Sequence, residues 1–311
     1  MALEYAPFAT PTSFDMQGPY RSFLFTPGNH PRKVAKVFDA GADAVILDLE
    51  DAVAIAEKPA TRATIVEALQ KDRNCLGYVR VNAYDTEFCF RDLTTIVGPW
   101  LDGIVLPKVE SADQLRSVDW IVSQLEAEQG MAVGGIDLMP IIETGTAMSD
   151  LRSIARSGSR VRRLSFGAGD YTLDMNMEWS FEETELQPAR AAVAVESRAA
   201  GLEPPVDTVF IHIGERYRDA LINASELPRA MGFQGKLCIH PEQITPVNKV
   251  FTPDRESVEH AQRVVAAFEE AEAAGSASIQ VDGYFVDYPI VEKARRTLAI
   301  IDGIKTRNMA R

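Results

Sequence analysis

Short apolar runs recur along the chain, separated by longer spans in which apolar residues return at helical spacing. The runs are Ser22–Phe25, Ala44–Leu49, Tyr78–Val81, Gly103–Leu106, Leu138–Ile142, Arg163–Phe166, Val206–Ile213 and Leu237–Ile239. Between Lys58 and Leu69, the residues Ala60, Ala63, Ile65, Val66 and Leu69 fall on one helical face, and Ser111 to Leu125 and Ala189 to Ala200 behave alike. Gly41, Gly77, Gly103, Gly201 and Gly235 stand just ahead of strands, as helix-ending glycines do. Parallel strands need crossovers of this length, so the pattern predicts eight βα units and a (β/α)8 TIM barrel. A doubly wound open sheet competes, but its G-x-G-x-x-G fingerprint is missing. Gly167-Ala168-Gly169 is followed directly by Asp170. It reads either as a plain tight turn or as a turn that brings backbone and Asp170 to a ligand.

Past the eighth run the pattern changes. Thr252-Pro253-Asp254 suits a helix start, and Val258, Ala261, Val265, Phe268 and Ala271 follow at helical spacing up to Gly275. A β-like piece at Ser278–Val281, the turn signal Asp282-Gly283, a second piece at Tyr284–Asp287 and a last helix through Ile301 complete the chain. The expected organisation is an N-terminal tail at 1–20, a barrel at 21–250 and a C-terminal extension at 251–311.

Composition narrows the function. With 46% hydrophobic and 25% charged residues among 311, disordered, collagen-like and disulfide-scaffold chains are excluded. No apolar run approaches the roughly 18 residues of a membrane span. Forty-five acids against 32 bases give net −13, which repels nucleic acid. An anionic small molecule would need a local basic patch, and Arg21, Arg32, Lys33 and Lys36 supply one, with no acid from 21 to 36. That run reads as a phosphate-binding edge or as a solvated helix face. Cys75, Cys89 and Cys238 form no C-x-x-C pair and read as reduced thiols. A nucleophilic cysteine would need a base that the sequence does not name. Met1 to Gln17 lacks the marks of a secretory or transit signal, so a cytoplasmic protein is expected.

In a parallel barrel, chemistry collects at the carboxyl ends of the strands. The runs end in Asn29-His30, Asp48-Leu49-Glu50-Asp51, Arg80 and Asn82, Pro107-Lys108, Glu143-Thr144, Gly169-Asp170, His212 and His240-Pro241. Asp48 and Glu50 share one strand face, and Arg80 and Asn82 another. Such residues form satisfied ion pairs, Arg80 with Asp48 for example, or line a polar site. There are too many acids for Arg80 and Lys108 to neutralise, which points to a hard divalent cation. Glu143 and Asp170, ending adjacent strands, are the best pair, and an all-oxygen set suits Mg2+ better than zinc. The alternative is that either acid caps the helix that follows it.

The motifs R-S-F-L-F-T-P-G-N-H-P, D-A-V-I-L-D-L-E-D-A-V, Y-V-R-V-N, D-G-I-V-L-P-K-V-E, P-I-I-E-T, F-G-A-G-D-Y, G-K-L-C-I-H-P-E-Q and V-D-G-Y-F-V-D-Y-P occur in this order. Together they resemble the HpcH/HpaI aldolase and citrate lyase family, in its branch of citrate lyase beta-subunit-like, malyl-CoA and citramalyl-CoA lyases. The resemblance implies an Mg2+-dependent barrel that makes or breaks a carbon–carbon bond between an acyl-CoA and a 2-oxo acid. It makes Glu143 and Asp170 the metal ligands and has Arg80 contact substrate oxygens. Glu50 and Asp51 would support the metal's waters. Arg21 and Lys36 would hold CoA, with Lys108 among the substrate contacts, and Asp287 would reach a neighbouring subunit's site as acid/base in a homotrimer or hexamer. Asp174 to Thr184 and Phe210-Ile211-His212-Ile213 depart from the usual pattern, which leaves the substrate open. A beta-type subunit acting on a carrier-protein thioester, a metal aldolase on free 2-oxo acids and a non-catalytic binding protein are the alternatives.

Overall fold

The computed structural model describes residues 19–310, with side chains through 307; the expected tail at 1–20 lies almost wholly outside them. Two compact units are present, Tyr20–Phe251 and a second that holds the chain from Thr252 onward with Pro19.

The first unit is a closed parallel barrel of eight strands: β1 (Ser22–Pro27), β2 (Ala44–Asp48), β3 (Leu76–Arg80), β4 (Gly103–Leu106), β5 (Asp137–Ile142), β6 (Ser165–Phe166), β7 (Val206–Asp207) and β8 (Gly235–Cys238). Strand β8 pairs back onto β1 and closes the ring. Residues alternate between two apolar environments. Phe23, Ala44, Ile46, Tyr78, Val105, Met139, Ile141 and Leu237 fill the barrel. Leu24, Val45, Leu47, Val79, Ile104, Leu138 and Ile142 face the helices. The period of two thus sets which residues point inward at the rim.

The helices begin and end where local chemistry dictates. Lys58–Leu69 opens on a proline in its first turn, and Ala112–Glu128 opens on a capping box in which Ser111 and Gln114 satisfy each other's backbone N–H groups. Gly41 and Gly201 adopt the left-handed backbone (φ 82° and 75°) expected of helix-ending glycines. Gly77, Gly103 and Gly235 do not; they lie inside strands, where a side chain would collide with Leu69, Tyr78 and the Tyr20 backbone.

One expectation fails clearly. Strand seven was expected over Val206–Ile213, but only Val206–Asp207 pairs with its neighbours. Beyond it, side chains take over the polar bonding. The Thr208 hydroxyl accepts from the Ala168 N–H (2.8 Å), and Gln243 donates to the Phe210 carbonyl (2.8 Å). His212 therefore sits in a loop. Strand six likewise starts at Ser165, which leaves Arg163 before it.

Asp207 is buried beside its register partner Lys236 at 2.5 Å and Arg190 at 2.8 Å, and Arg190 also holds Glu183 at 2.5 Å. Burial alone would raise the Asp207 carboxyl, but Lys236 and Arg190 hold it below the usual carboxylate range. Its stabilisation is therefore full above about pH 4, the unfolded value, and is lost as pH falls through the lower folded value. Asp207→Ala leaves two buried cations without their shared partner. It is expected to destabilise the barrel by about 3–5 kcal/mol, measured by urea unfolding at neutral pH.

The second unit is a helix Arg255–Ala273, a two-stranded hairpin (β9, Ile279–Val281; β10, Tyr284–Val286) and a helix Tyr288–Ala310. Asp254, not Thr252, caps the first helix, accepting from the Ser257 N–H at 2.8 Å. Asp282 and Gly283 both have positive φ, as a two-residue hairpin turn requires. Ala261, Val264, Phe268, Val286, Val291 and Ala294 form its core.

Candidate active site

The inward alternation of β2, β3 and β5 carries past the apolar layers into charge. Ala44 and Ile46 lead to Asp48, Tyr78 to Arg80, and Met139 and Ile141 to Glu143. Asp48 and Arg80 are register partners. Arg80 grips Asp48 with Nε and Nη2, both at 2.7 Å, and the backbone N–H groups of Glu50 and Ala52 complete the carboxylate. Burial alone would raise Asp48, but Arg80 and these N–H groups hold it below the ordinary range. The ion pair and the polar site, set as alternatives by the sequence, coexist: Asp48 fixes the guanidinium. Nη1 faces Glu50 at 2.9 Å and Asp51 at 3.7 Å. The Phe25 ring stacks beneath, 4.9 Å from Arg80 Cζ.

Glu143 follows β5 directly and is 3% exposed. It does not cap the next helix, because Thr144 does so by accepting from the Ala147 N–H. Asp170 lies in the first turn of helix Ala168–Asp174, whose cap position is Gly167. Burial, and after it the Asp170 carboxylate, push Glu143 up to about 8. Both acids stand at the carboxyl end of the barrel, Glu143 directly after β5 and Asp170 four residues after β6. Gly167 continues the inward face of β6, and a Cβ there would strike the Glu143 carboxylate and Ile141.

Lys108 connects the cluster. Its backbone is left-handed (φ 51°), strained for a non-glycine residue, and this turn aims its N–H at Glu143 Oε1 (2.8 Å). Its ammonium sits on Glu50 (2.5 Å) and lies 3.8 Å from Asp170, beyond hydrogen-bond range. The ammonium therefore bonds to Glu50 and pairs at longer range with Asp51 and Asp170. Glu50 is raised by burial in spite of both cations.

Lys58 was not foreseen. Buried at the start of its helix, it donates to the carbonyls of Leu49 and Glu50 and to Asn82 Oδ1. A cation at a helix N-terminus opposes the macrodipole, and that was the signal available in the sequence. Asn82 turns away from Arg80 to Lys58 and Asp92, so the shared face ends with the strand. Asp48, Glu50, Asp51, Glu143 and Asp170 are five acids around the three cations Arg80, Lys108 and Lys58, a formal excess of two negative charges once Glu143 is ionised, as a bound cation would make it. Among the described residues no three His, Cys, Asp or Glu side chains gather as a ready ligand set; Glu143 and Asp170 offer the one or two carboxylates that Mg2+ typically takes from a protein.

The remaining expected residues lie elsewhere. Arg21 precedes β1 and is held by Asp43 at 2.8 Å. It stands at the amino end of the barrel, a strand's length from the rim, which removes it from the rim's basic edge. Lys36 is exposed on helix Pro31–Val37, which follows β1 at the carboxyl end. Asp287 belongs to the second unit, joining β10 to the last helix and accepting from the Ile290 N–H at 3.4 Å. Among the described residues the three cysteines are free; burial pushes the Cys89 and Cys238 thiols up to about 12, so neither is a nucleophile at neutral pH. No helix among the described residues is long and apolar enough to cross a membrane.

Comparison with known proteins identifies the family. The HpcH/HpaI aldolase/citrate lyase family model matches residues 21–241. The chain is 36% identical over 286 residues to a citrate lyase subunit beta of Leuconostoc mesenteroides subsp. cremoris, covering 90% of this chain and 92% of that one. It is 32% identical over 300 residues to an L-malyl-CoA/beta-methylmalyl-CoA lyase of Rhodobacter capsulatus, covering 88% and 92%. The crystal structure of CitE from Mycobacterium tuberculosis, in complex with magnesium, acetoacetate and coenzyme A, superposes with a TM-score of 0.73 at 28% identity, covering 92% and 99%. On the barrel, the rim carboxylates and these similarities together, the chain belongs to the HpcH/HpaI aldolase/citrate lyase family and is a carbon–carbon lyase.

Proposed function

We propose that the chain is an Mg2+-dependent lyase acting on a β-hydroxyacyl-CoA such as malyl-CoA or citramalyl-CoA, releasing an acyl-CoA and a 2-oxo acid, or joining them. The observation that carries this reading is the excess of carboxylates at the rim, Glu143 and Asp170 among them, beside a fixed arginine. These two acids would hold the ion, with Glu50 and Asp51 bonding its waters. Bound there, Mg2+ supplies Lewis-acid polarisation and a template for the 2-hydroxy acid oxygens.

The chain's own residues do the rest. Arg80 keeps two nitrogens on Asp48, and its third, Nη1, is placed to donate to a substrate oxygen as charge develops there. Lys108 adds a second cation on the same side. Lys36 is assigned to the CoA phosphates, together with its neighbours Arg32 and Lys33. Asp287 is assigned the proton transfer at the thioester's enolate carbon, supplied from a neighbouring copy in a trimer or hexamer. Its flanking residues support that role: Tyr284, Phe285, Tyr288 and Ile290 are large apolar side chains, 40–67% exposed, of the kind an interface covers. Small soluble substrates and free thiols fit a cytoplasmic setting.

A panel of β-hydroxyacyl-CoA esters with Mg2+, with the released 2-oxo acid identified, tests the reading; no cleavage of any ester would sink it. Gly167→Ala is expected to weaken Mg2+ binding at least about tenfold, since the added methyl displaces Glu143 by more than a ligand tolerates; calorimetry reads it. The similarity to a citrate lyase subunit beta favours a second reading, in which a carrier protein presents the thioester. The isolated chain would then leave CoA esters untouched.

A further inference from the structure

Strand β2 ends at Asp48, and the acids Glu50 and Asp51 stand on the turn that follows it. The backbone of that turn needs hydrogen-bond partners that the sheet no longer gives. The Leu49 N–H still bonds the Arg80 carbonyl (2.9 Å), and the Asp48 carboxylate takes the N–H groups of Glu50 (2.9 Å) and Ala52 (3.1 Å). The carbonyls of Leu49 and Glu50 are left to Lys58. Its ammonium donates to them at 2.8 and 2.7 Å, and to Asn82 Oδ1 at 2.6 Å. Three donors meet three acceptors, and none of the three is a carboxylate.

Lys58 is itself fixed. Asn82 donates to the Leu49 carbonyl (3.1 Å) and to Asp92 (2.6 Å), and Asp92 accepts from Arg62 Nε (2.7 Å). Lys58, Asn82 and Asp92 are buried, and the Phe88 ring lies 5.8 Å from the ammonium. The cation thus acts on backbone rather than on an acid, and its influence on the rim passes through the position of the turn.

What the turn positions is Glu50, which reaches Arg80 Nη1 (2.9 Å) and the Lys108 ammonium (2.5 Å). Asp51 and Asp170 stand 3.7 and 3.8 Å from that ammonium, next in line if Glu50 withdraws. An ammonium drawn onto Asp170 would compete with any cation bound there.

We propose that Lys58 is a positioning residue: by fixing the Leu49–Glu50 backbone it keeps Glu50 on Lys108, and so keeps Lys108 from taking Asp170 away from the metal. The proposal rests on the reading of Asp170 as an Mg2+ ligand.

The test titrates Mg2+ by calorimetry into four full-length, metal-free chains: the parent, Lys58→Met, Lys108→Met and the double variant. Losing a group that orients a metal's ligands costs about 10–100-fold in affinity, so Lys58→Met is expected to weaken Mg2+ binding at least about tenfold. In the Lys108→Met background the same change should cost no more than about threefold, because no ammonium is left to compete; the double-mutant cycle reads this coupling. Lys58→Met strands three acceptors, so Lys58→Gln, with two amide donors, is a milder second variant expected to move in the same direction. Near-UV circular dichroism shows that each chain is folded at the titration temperature. Equal loss with and without Lys108 would mean general loosening and overturns the proposal. So does unchanged affinity in both Lys58 variants, or failure of both to fold. A parent that binds Mg2+ beside insensitive Lys58 variants refutes this proposal alone; a parent that takes up no Mg2+ refutes the metal reading and this proposal with it.

Discussion

Glu143→Gln is expected to lower kcat/KM for thioester cleavage by on the order of 10³ or more, with a thermal unfolding midpoint close to that of the parent. The reasoning is local. The Glu143 carboxylate accepts one described backbone bond, from the Lys108 N–H, and the carbonyl of glutamine can keep it. The side chain is isosteric, so the contact over Gly167 is unchanged. What disappears is one negative charge of the pair, and with it the reason for a divalent ion to sit there. The repulsion from Asp170 that helps to raise Glu143 is relieved as well, so the variant should be no less stable than the parent. Near-full cleavage by Glu143→Gln with Mg2+ present would mean that the ion, if it acts, sits elsewhere.

The second large effect concerns the extension. Asp287→Ala is expected to slow cleavage by about 10²–10⁴ while Mg2+ affinity stays at the parent value, because Asp287 belongs to the other compact unit and holds none of the rim acids. Its described bond is to the Ile290 N–H at the start of the last helix, so the local loss is of the order of a cap, about 1 kcal/mol. Mixing decides whether the aspartate serves another copy. Refolded together, Glu143→Gln and Asp287→Ala chains should recover part of the activity that neither has alone, since a mixed oligomer pairs an intact rim with an intact aspartate. No recovery, in oligomers shown to be mixed, would place Asp287 outside a neighbour's site. Equal loss of activity and metal affinity in Asp287→Ala would instead indicate misassembly.

The rim was legible in the sequence because a strand has a period of two. Once Ile46 and Tyr78 are inward, Asp48 and Arg80 must be inward too, and Glu143 follows Ile141 by the same count. The helices were legible from caps and prolines, and Lys58–Leu69 is found with the bounds expected. Three features were not. A run of β-prone residues does not reveal whether its backbone finds a strand or a side chain to bond with, and after Asp207 the side chains of Thr208 and Gln243 prevail. A cluster of basic residues in sequence says nothing of a strand running through it. Six extended residues separate Arg21 from the rim, about 20 Å at 3.3 Å each, and Asp43 had already claimed it. An aromatic cluster joins Phe181 to Phe210, His212 and Tyr217 across two loops, a long-range meeting that no local pattern encodes.

The most direct measurement is calorimetric titration of Mg2+ into the parent chain, Glu143→Gln and Asp170→Asn, each saturated with the 2-oxo acid it binds best. The account predicts one ion per chain for the parent and no measurable binding in either variant. One ion per chain at unchanged affinity in both variants would contradict it.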